Sequence, residues 1–262
     1  MTEPVLYDVD GHTAVITLNR PDALNSLDIA TKTALRDHVH RAADDTSVRA
    51  VVLAGTGRAF CAGEDLVEHA ERLRDGSTGL GDIVDEYYNP TVRTLARMPK
   101  PVIAAVNGIA AGAGASYAFA CDLRVVADTA GFNLAFAGIG LSCDTGTSWT
   151  LPRLVGWAKA RELLLLPRTV KAPEAHAIGL ATEVVPAADV VPRAIELARQ
   201  LAAGPTVAYA ALREALDWSA THTFDEATTK EAELMQHTGR TADHRDAVQA
   251  FLTKQKPTFQ GR

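Results

Sequence analysis

The sequence predicts an α/β fold, with a layered core holding a largely parallel sheet over residues 1–190 and a helical C-terminal segment over 191–262. Three observations carry this. Short β-branched runs alternate with amphipathic stretches through the first half. The runs are apolar at nearly every position, as strands buried on both faces are. From Ala187 the strand signal stops, and apolar residues recur at three- and four-residue spacing.

In chain order, AVITLN (Ala14–Asn19) reads as the first strand. SLDIATKTALRDHVHRAADD follows as an amphipathic helix capped by Ser26 or Asp28. RAVVLAGTG is a second strand closed by glycines. PVIAAVNGIA (Pro101–Ala110) is a third, DLRVVAD (Asp122–Asp128) a fourth, and LATEVV (Leu180–Val185) a later one. DVVPRAIELARQLAAG, TVAYAALREALDWSA and FDEATTKEAELMQHTG read as helices. Between the second and third strands, DGSTGLGDIVD (Asp75–Asp85) is glycine-rich and polar, which predicts a mobile loop near the site.

Composition narrows the function classes. An apolar content of 47% with 22% charged residues is that of a soluble globular protein. The net charge of −6 argues against nucleic-acid and anionic-membrane partners. MTEPVLYDVDGH lacks a basic region and an apolar run, so no secretory leader is expected. The longest apolar run, Pro101 to Cys121, contains Asn107 and several glycines and reads as core, not as a membrane span. Cys61, Cys121 and Cys143 sit among small or apolar neighbours, which fits a reduced, cytoplasmic protein, and their spacing matches no metal site.

Two glycine stretches follow predicted strands: GRAFCAGEDL (Gly57–Leu66) and NGIAAGAGASYAFACD (Asn107–Asp122). Each can expose backbone N–H groups at a helix start, where they attract negative charge. A dinucleotide fingerprint is disfavoured, because Tyr117 stands where close helix–strand packing needs a small residue. Either stretch alone can be read as tight packing. Two on successive units favour a shared site.

The segments LNRPDALNSL, RAFCAGEDL, PVIAAVNGIAAGAGASYAFACDLRVVADTAGF and IGLSCDTGTSWTLPRLVG resemble, in that order, the motifs of the crotonase (enoyl-CoA hydratase/isomerase) superfamily. The resemblance spans nearly the whole chain. It implies repeated ββα units, a helical C-terminal segment, an acyl-CoA thioester substrate, and a homotrimer or a homohexamer built as a dimer of trimers. No cofactor is implied beyond the CoA that the substrate carries. It further implies an oxyanion hole made by the backbone N–H groups of Glu64 and Ala113. The Glu64 and Asp65 side chains themselves read as solvated acids of a loop, with direct catalysis the lesser alternative, since the hole needs only the main chain. The implied substrate-binding positions are Ala23, Leu24, Ala62, Gly63, Asp65, Leu66, Gly112, Ser116, Phe136, Leu141 and Lys254. Arg20, Lys254 and Lys256 either meet the CoA phosphates or stand in solvent.

Hydratases of this superfamily activate water with two glutamates, and the matching positions here are Ser116 and Phe136. Without both acids, hydration lacks its general acid–base pair. From Pro101 to Leu166 the only acids are Asp122, Asp128, Asp144 and Glu162. Asp122 and Asp128 bracket a strand beside Arg124, and Glu162 has Lys159 and Arg161 for company. Asp144 stands alone in the uncharged turn GLSCDTGTSW, where a raised pKa would suit a proton shuttle. It can equally cap the helix that starts near Thr145–Trp149, and the two roles are compatible.

Several superfamily branches resemble the chain at this aspartate: dienoyl-CoA isomerases, ring-epoxide isomerases of phenylacetate degradation and chlorobenzoyl-CoA dehalogenases. The dehalogenases also use a histidine and a tryptophan, where this chain has Arg93 and Phe136. YYNPTVRTLARMPKPV and the tail GRTADHRDAVQAFLTKQKPTFQGR resemble the epoxide-isomerase group. The expectation is therefore an acyl-CoA isomerase that works through an enolate, with Asp144 as base and acid. Its rivals are a hydratase with a single carboxylate and a non-catalytic acyl-CoA-binding homologue. His69 is the one histidine expected near the site. Tyr117 and Phe136 are expected to shape the acyl pocket, Trp149 and Trp157 to pack helices, and Cys143 to fill space.

Overall fold

The runs AVVLAG and VIAAV are buried at every position, which requires strands with cover on both faces. The computed structural model describes residues 3–76 and 79–262. Its first half holds β1 (Val5–Asp10), β2 (Thr13–Leu18), α1 (Ile29–Asp44), β3 (Ala50–Gly55), β4 (Ala59–Cys61), α2 (Leu66–Arg74), α3 (Leu80–Ile83) and α4 (Asn89–Arg97). Then come β5 (Val102–Val106), β6 (Ile109–Ala111), α5 (Ala113–Ala120), β7 (Leu123–Ala127), β8 (Gly131–Asn133), α6 (Thr147–Val155) and α7 (Trp157–Leu165). The chain continues with β9 (Thr169–Lys171), α8 (Ala172–Ala177), β10 (Glu183–Val185) and α9 (Val190–Ala202). It ends with α10 (Thr206–Ser219), α11 (Phe224–Thr238) and α12 (Ala242–Leu252).

The larger sheet has the order β1-β2-β3-β5-β7-β10 and is parallel apart from β1, which runs antiparallel to β2. The smaller has the order β4-β6-β8-β9, with only β9 antiparallel. Each of the pairs β3/β4, β5/β6 and β7/β8 gives its first strand to one sheet and its second to the other, followed by helix. These are the repeated ββα units. PVIAAVNGIA is consequently two strands, not one. The chain breaks at Asn107, whose Nδ2 donates to the Gly57 carbonyl at 2.8 Å.

α9 lies across β2, β3, β5 and β7. Its buried residues Val190, Ala194, Ala198 and Ala202 recur every four positions, and the alanines allow a close approach to the sheet. Two arginines tie the later helices to this core. Arg49 donates to Thr206 Oγ1 at 2.8 Å and to the Phe259 carbonyl at 3.2 Å. Arg213 on α10 pairs with Asp122 at 2.9 Å. Asp122 is thus an ion-paired strand-end acid, but its partner is Arg213. Arg124 instead donates to the carbonyls of Leu180 and Cys121 at 2.8 and 2.7 Å. Glu162 pairs with Lys159 and with Arg168, not with Arg161.

The stretch expected as a loop, Asp75–Asp85, becomes helical from Leu80; Ser77 and Thr78 lie outside the described residues. α3 runs through a π-helical turn, Val84–Tyr88, directly into α4. Pro90 explains the widened turn. It has no N–H for the Glu86 carbonyl, and its ring crowds that group, so the helix loosens and Asn89 N–H bonds back to Val84. The freed Glu86 carbonyl accepts from Arg36 Nη1 at 3.3 Å. Of the two candidate caps for α1, Asp28 serves, accepting from Thr31 N–H at 2.8 Å. Trp149 and Trp157 do not pack helices together. They are 44% and 67% exposed, with guanidinium groups of Arg153 and Arg161 over their rings. No helix among the described residues is long and apolar enough to cross a membrane.

Candidate active site

The turn after β4 presents Ala62, Gly63 and Glu64 toward the start of α5. Gly63 has φ +87, and a Cβ there would stand 2.9 Å from the Ala111 carbonyl oxygen. Only glycine lets the two segments meet in this way. Backbone bonds hold the turn on both sides: Ala62 N–H to Leu24 O at 3.0 Å, Leu27 N–H to Gly63 O at 2.8 Å, and Asp65 N–H to Leu27 O at 3.3 Å. The Glu64 N–H between them has no acceptor among the described residues. Across from it, Gly112 N–H donates to Asn133 O at 3.0 Å, and Ala113 opens α5. The Ala113 N–H therefore belongs to the first helical turn and has no intrahelical acceptor.

Both N–H-bearing residues line a cavity of about 330 Å³. Its wall is mostly apolar, with Leu66, Ile83, Val84, Phe136, Ile139 and Leu141 among the lining residues. The ionisable side chains on it are Glu64, His69, Tyr88 and Asp144. Such a space, with two unengaged donors, can hold a carbonyl oxygen and a flanking acyl group.

The Glu64 side chain is not a solvated acid. Lys32 Nζ reaches its two oxygens at 2.9 and 2.8 Å, and both Arg72 Nη2 and the Tyr88 hydroxyl donate to it. The Lys32 side chain has no solvent exposure. Asp65 is also engaged: it caps α2 by accepting from Val67 and Glu68 N–H, and it takes Arg20 Nη1 and Ser26 Oγ at 3.0 Å each. Burial alone would raise the Asp65 carboxyl, but these hydrogen bonds hold it below its ordinary value. Arg20, also paired with Asp28 at 3.1 Å, is a structural cation.

Asp144 is half-buried and lines the same cavity. Its side chain caps no helix. Gly146 occupies the α6 cap position, and it is the Asp144 main-chain carbonyl that accepts from Thr147 N–H at 2.9 Å. The carboxylate accepts one hydrogen bond, 2.8 Å from Thr145 Oγ1. Burial pushes its pKa above the ordinary carboxylate value of 3.8; the Thr145 bond opposes the rise and the Glu64 charge adds to it. Burial also raises the phenols of Tyr88 and Tyr117, both of which feel the Asp144 charge.

Of the positions singled out from the sequence, Ala62, Gly63, Glu64, Leu66, Gly112, Ala113, Phe136, Leu141 and Asp144 line the cavity. Ala23, Leu24, Asp65, Ser116 and Lys254 do not. Leu24 and Asp65 brace the turn from behind. Ala23 ends the 3₁₀ turn Pro21–Ala23. Ser116 is fully buried, bonded to the Gly112 carbonyl at 3.0 Å and to Thr147. Lys254 is exposed beyond α12 at φ +56, away from the cavity lining, as is Lys256. His69 does line the cavity. Cys143 is a half-buried free thiol beside Asp144. Among the described residues, no three His, Cys, Asp or Glu side chains are grouped to hold a metal ion.

Lys32, Arg72 and Tyr88 escaped notice in the sequence. Lys32 had left a signal: it falls on the buried stripe of α1 with Leu35, Val39 and Ala42, where an unpaired lysine is too costly to stand.

The family model for enoyl-CoA hydratase/isomerase matches residues 9–262. The chain is 39% identical over 262 residues to 1,2-epoxyphenylacetyl-CoA isomerase of Escherichia coli, covering 100% of both. It is 34% identical over 253 residues to short-chain-enoyl-CoA hydratase of Clostridium acetobutylicum, covering 96% of this chain and 95% of that protein. A crystal structure from Mycobacterium abscessus, assigned to enoyl-CoA hydratase/isomerase, superposes with a TM-score of 0.96 at 42% identity, covering 98% of this chain and 100% of that one. Fold, motif order and full-length similarity agree: the chain belongs to the enoyl-CoA hydratase/isomerase family.

Proposed function

We propose that the protein is an acyl-CoA isomerase that moves a proton through a thioester enolate, with Asp144 as the shuttle. One observation carries the reading. Of the two carboxylates on the cavity, Glu64 has both oxygens taken by Lys32, Arg72 and Tyr88, whereas Asp144 accepts only from Thr145. Asp144 thus has a lone pair free to take a proton.

The Glu64 and Ala113 N–H groups would hold the thioester oxygen. Polarising that carbonyl acidifies the adjacent C–H, and preorganised donors stabilise the enolate by about 3 kcal/mol each. Asp144 would remove the α- or γ-proton and return it at the other carbon or, for a ring epoxide, serve the opening ring. Its raised pKa brings base and acid forms closer to balance near neutrality. The reaction needs nothing beyond the CoA ester. The apolar wall suits an aliphatic or aromatic acyl group without charge, and the named isomerase relative turns the proposal toward the aromatic one.

Hydration is disfavoured because Phe136 is apolar, Ser116 is buried behind the lining, and Glu64, the other carboxylate on the cavity, has both oxygens engaged and cannot share a water with Asp144. The protein should exchange the α-protons of phenylacetyl-CoA with deuterated water and shift a β,γ-enoyl-CoA to its α,β isomer. Asp144→Ala should abolish both while still binding the ester. Turnover of crotonyl-CoA to its hydrate with no proton exchange would make it a hydratase, and binding without any turnover would make it a carrier. We also propose a homotrimer or homohexamer, since Leu216, Phe224, Met235 and Phe251 on the last helices are large apolar side chains left exposed. A monomeric mass by light scattering would exclude it.

A further inference from the structure

Residue 64 lines the cavity and carries two features that the isomerase reading uses separately: a main-chain donor with no acceptor among the described residues and a side chain locked in an ion cluster. We propose that the side chain is a second anchor, beside the backbone bridge to Leu27, that holds the direction of its own N–H, which makes Lys32 and Tyr88 positioning residues for the thioester carbonyl. This rests on the oxyanion role proposed for the Glu64 N–H.

A donor contributes to an enolate only if it is aimed before the charge develops. The Glu64 N–H sits in an isolated bridge to Leu27: the Gly63 carbonyl of its own peptide unit accepts from Leu27 N–H at 2.8 Å, and Asp65 N–H donates to Leu27 O at 3.3 Å. Both bonds go to this one residue, and the unit follows Gly63, at φ +87, the residue type with the least restricted backbone. The side chain supplies a second, independent restraint. Lys32 Nζ spans both carboxylate oxygens at 2.9 and 2.8 Å, with Arg72 on one oxygen and the Tyr88 hydroxyl on the other.

Lys32 cannot exchange this partner for water, because its side chain is fully buried and its only other carboxylate, Glu68, lies 3.8 Å away. Glu68 in turn accepts from Arg72 at 3.0 Å and from the Ile29 N–H at 3.0 Å, which closes the cluster. Lys32 also lies 5.5 Å from the centre of the Tyr88 ring. Three segments therefore converge on the carboxylate that the turn carries: α1, α2 and the π-helical turn. A carboxylate with its acceptor sites filled this way is a fixed strut, not a base.

The test uses phenylacetyl-CoA labelled with ¹³C at the thioester carbonyl, with Lys32→Met and Tyr88→Phe. Wild-type protein should lower the carbonyl stretching frequency of the bound ester relative to water. In Lys32→Met the exchange kcat should fall about tenfold, less than the loss of a whole donor, with KM within about twofold. In Tyr88→Phe, which removes one hydrogen bond, the fall should be about threefold. In both, the stretch should move back toward its value in water. A fall in kcat with the stretch unmoved would mean that the cluster is merely structural, and unchanged kcat and stretch would overturn the proposal outright. If Lys32→Met does not fold, Tyr88→Phe decides alone. If wild-type protein leaves the stretch at its value in water, the oxyanion reading itself fails, whatever the variants do.

Discussion

Thr145 Oγ1 donates a 2.8 Å hydrogen bond to Asp144 Oδ1 from a backbone held at φ +51. A β-branched residue in the left-handed region costs about 1–2 kcal/mol and persists only where its surroundings impose it. Thr145 is fully buried, and its hydroxyl does most to stabilise the ionised form of Asp144, ahead of the Asp144 main-chain N–H. Thr145→Val keeps the shape and removes the donor. As a base Asp144 must be ionised, so exchange should rise with pH through its pKa. Losing the donor should move that rising limb to higher pH. A midpoint that stays put or moves down, in a pH profile of kcat/KM for proton exchange, would disprove the link between Thr145 and the shuttle.

Replacing Asp144 by asparagine should cost activity and add stability. Burial raises the folded-state pKa above the unfolded value of about 3.8, so the stabilising protonated form is fully present below that value. The contribution is lost as pH rises through the folded pKa. At pH 7 the wild-type protein therefore carries a buried charge that the asparagine variant lacks. Asp144→Asn should raise Tm by about 2–4 °C at pH 7, with the gain shrinking toward pH 4, while proton exchange disappears. Thermal melts at the two pH values check this; a variant less stable than wild type at pH 7 contradicts it.

Gly63→Ala tests the meeting of the two turns. The new Cβ would lie 2.9 Å from the Ala111 carbonyl oxygen, backbone that cannot swing aside, at a φ that alanine disfavours. Stability should drop by about 2 kcal/mol, and the displaced Glu64 N–H should lower the exchange rate by about a hundredfold. Urea unfolding and exchange kinetics measure the two separately. Wild-type kinetics in a folded Gly63→Ala protein would show that the turn's position does not matter.

The long elements were legible because their patterns are long: β2, β3, β5 and β7 each run five or six residues, and α1 and α9–α11 repeat their apolar stripe over several turns. β4, β6, β8 and β9 have three residues each, too few for a period, and exist only through their pairing. The glycine stretch AAGAGAS had two readings, and both hold at different residues. Gly114 serves packing, since a Cβ there would meet the Cys61 carbonyl oxygen at 2.3 Å, while Gly112 leads into the Ala113 donor. Asp144 stood out in the sequence because its neighbours carry no charge. The cluster on Glu64 did not, because its three partners, Lys32, Arg72 and Tyr88, come from three segments and only a fold brings them together.

Phe136 stands where hydratases of this superfamily resemble one another in holding a glutamate, and here it closes the apolar side of the cavity beside Gly112, 4.0 Å from the place of a Cβ on that residue. A ring at this point contributes contact area to an acyl group but no chemistry. Phe136→Ala should therefore raise KM for phenylacetyl-CoA about tenfold, through lost apolar contact of roughly 1–2 kcal/mol, and leave kcat for exchange within about twofold. Acetyl-CoA, which has no group to reach the wall, should show no change in KM. An equal rise for both esters would mean that Phe136 supports the glycine turn instead of the acyl group, and the aromatic-acyl reading would lose its structural basis.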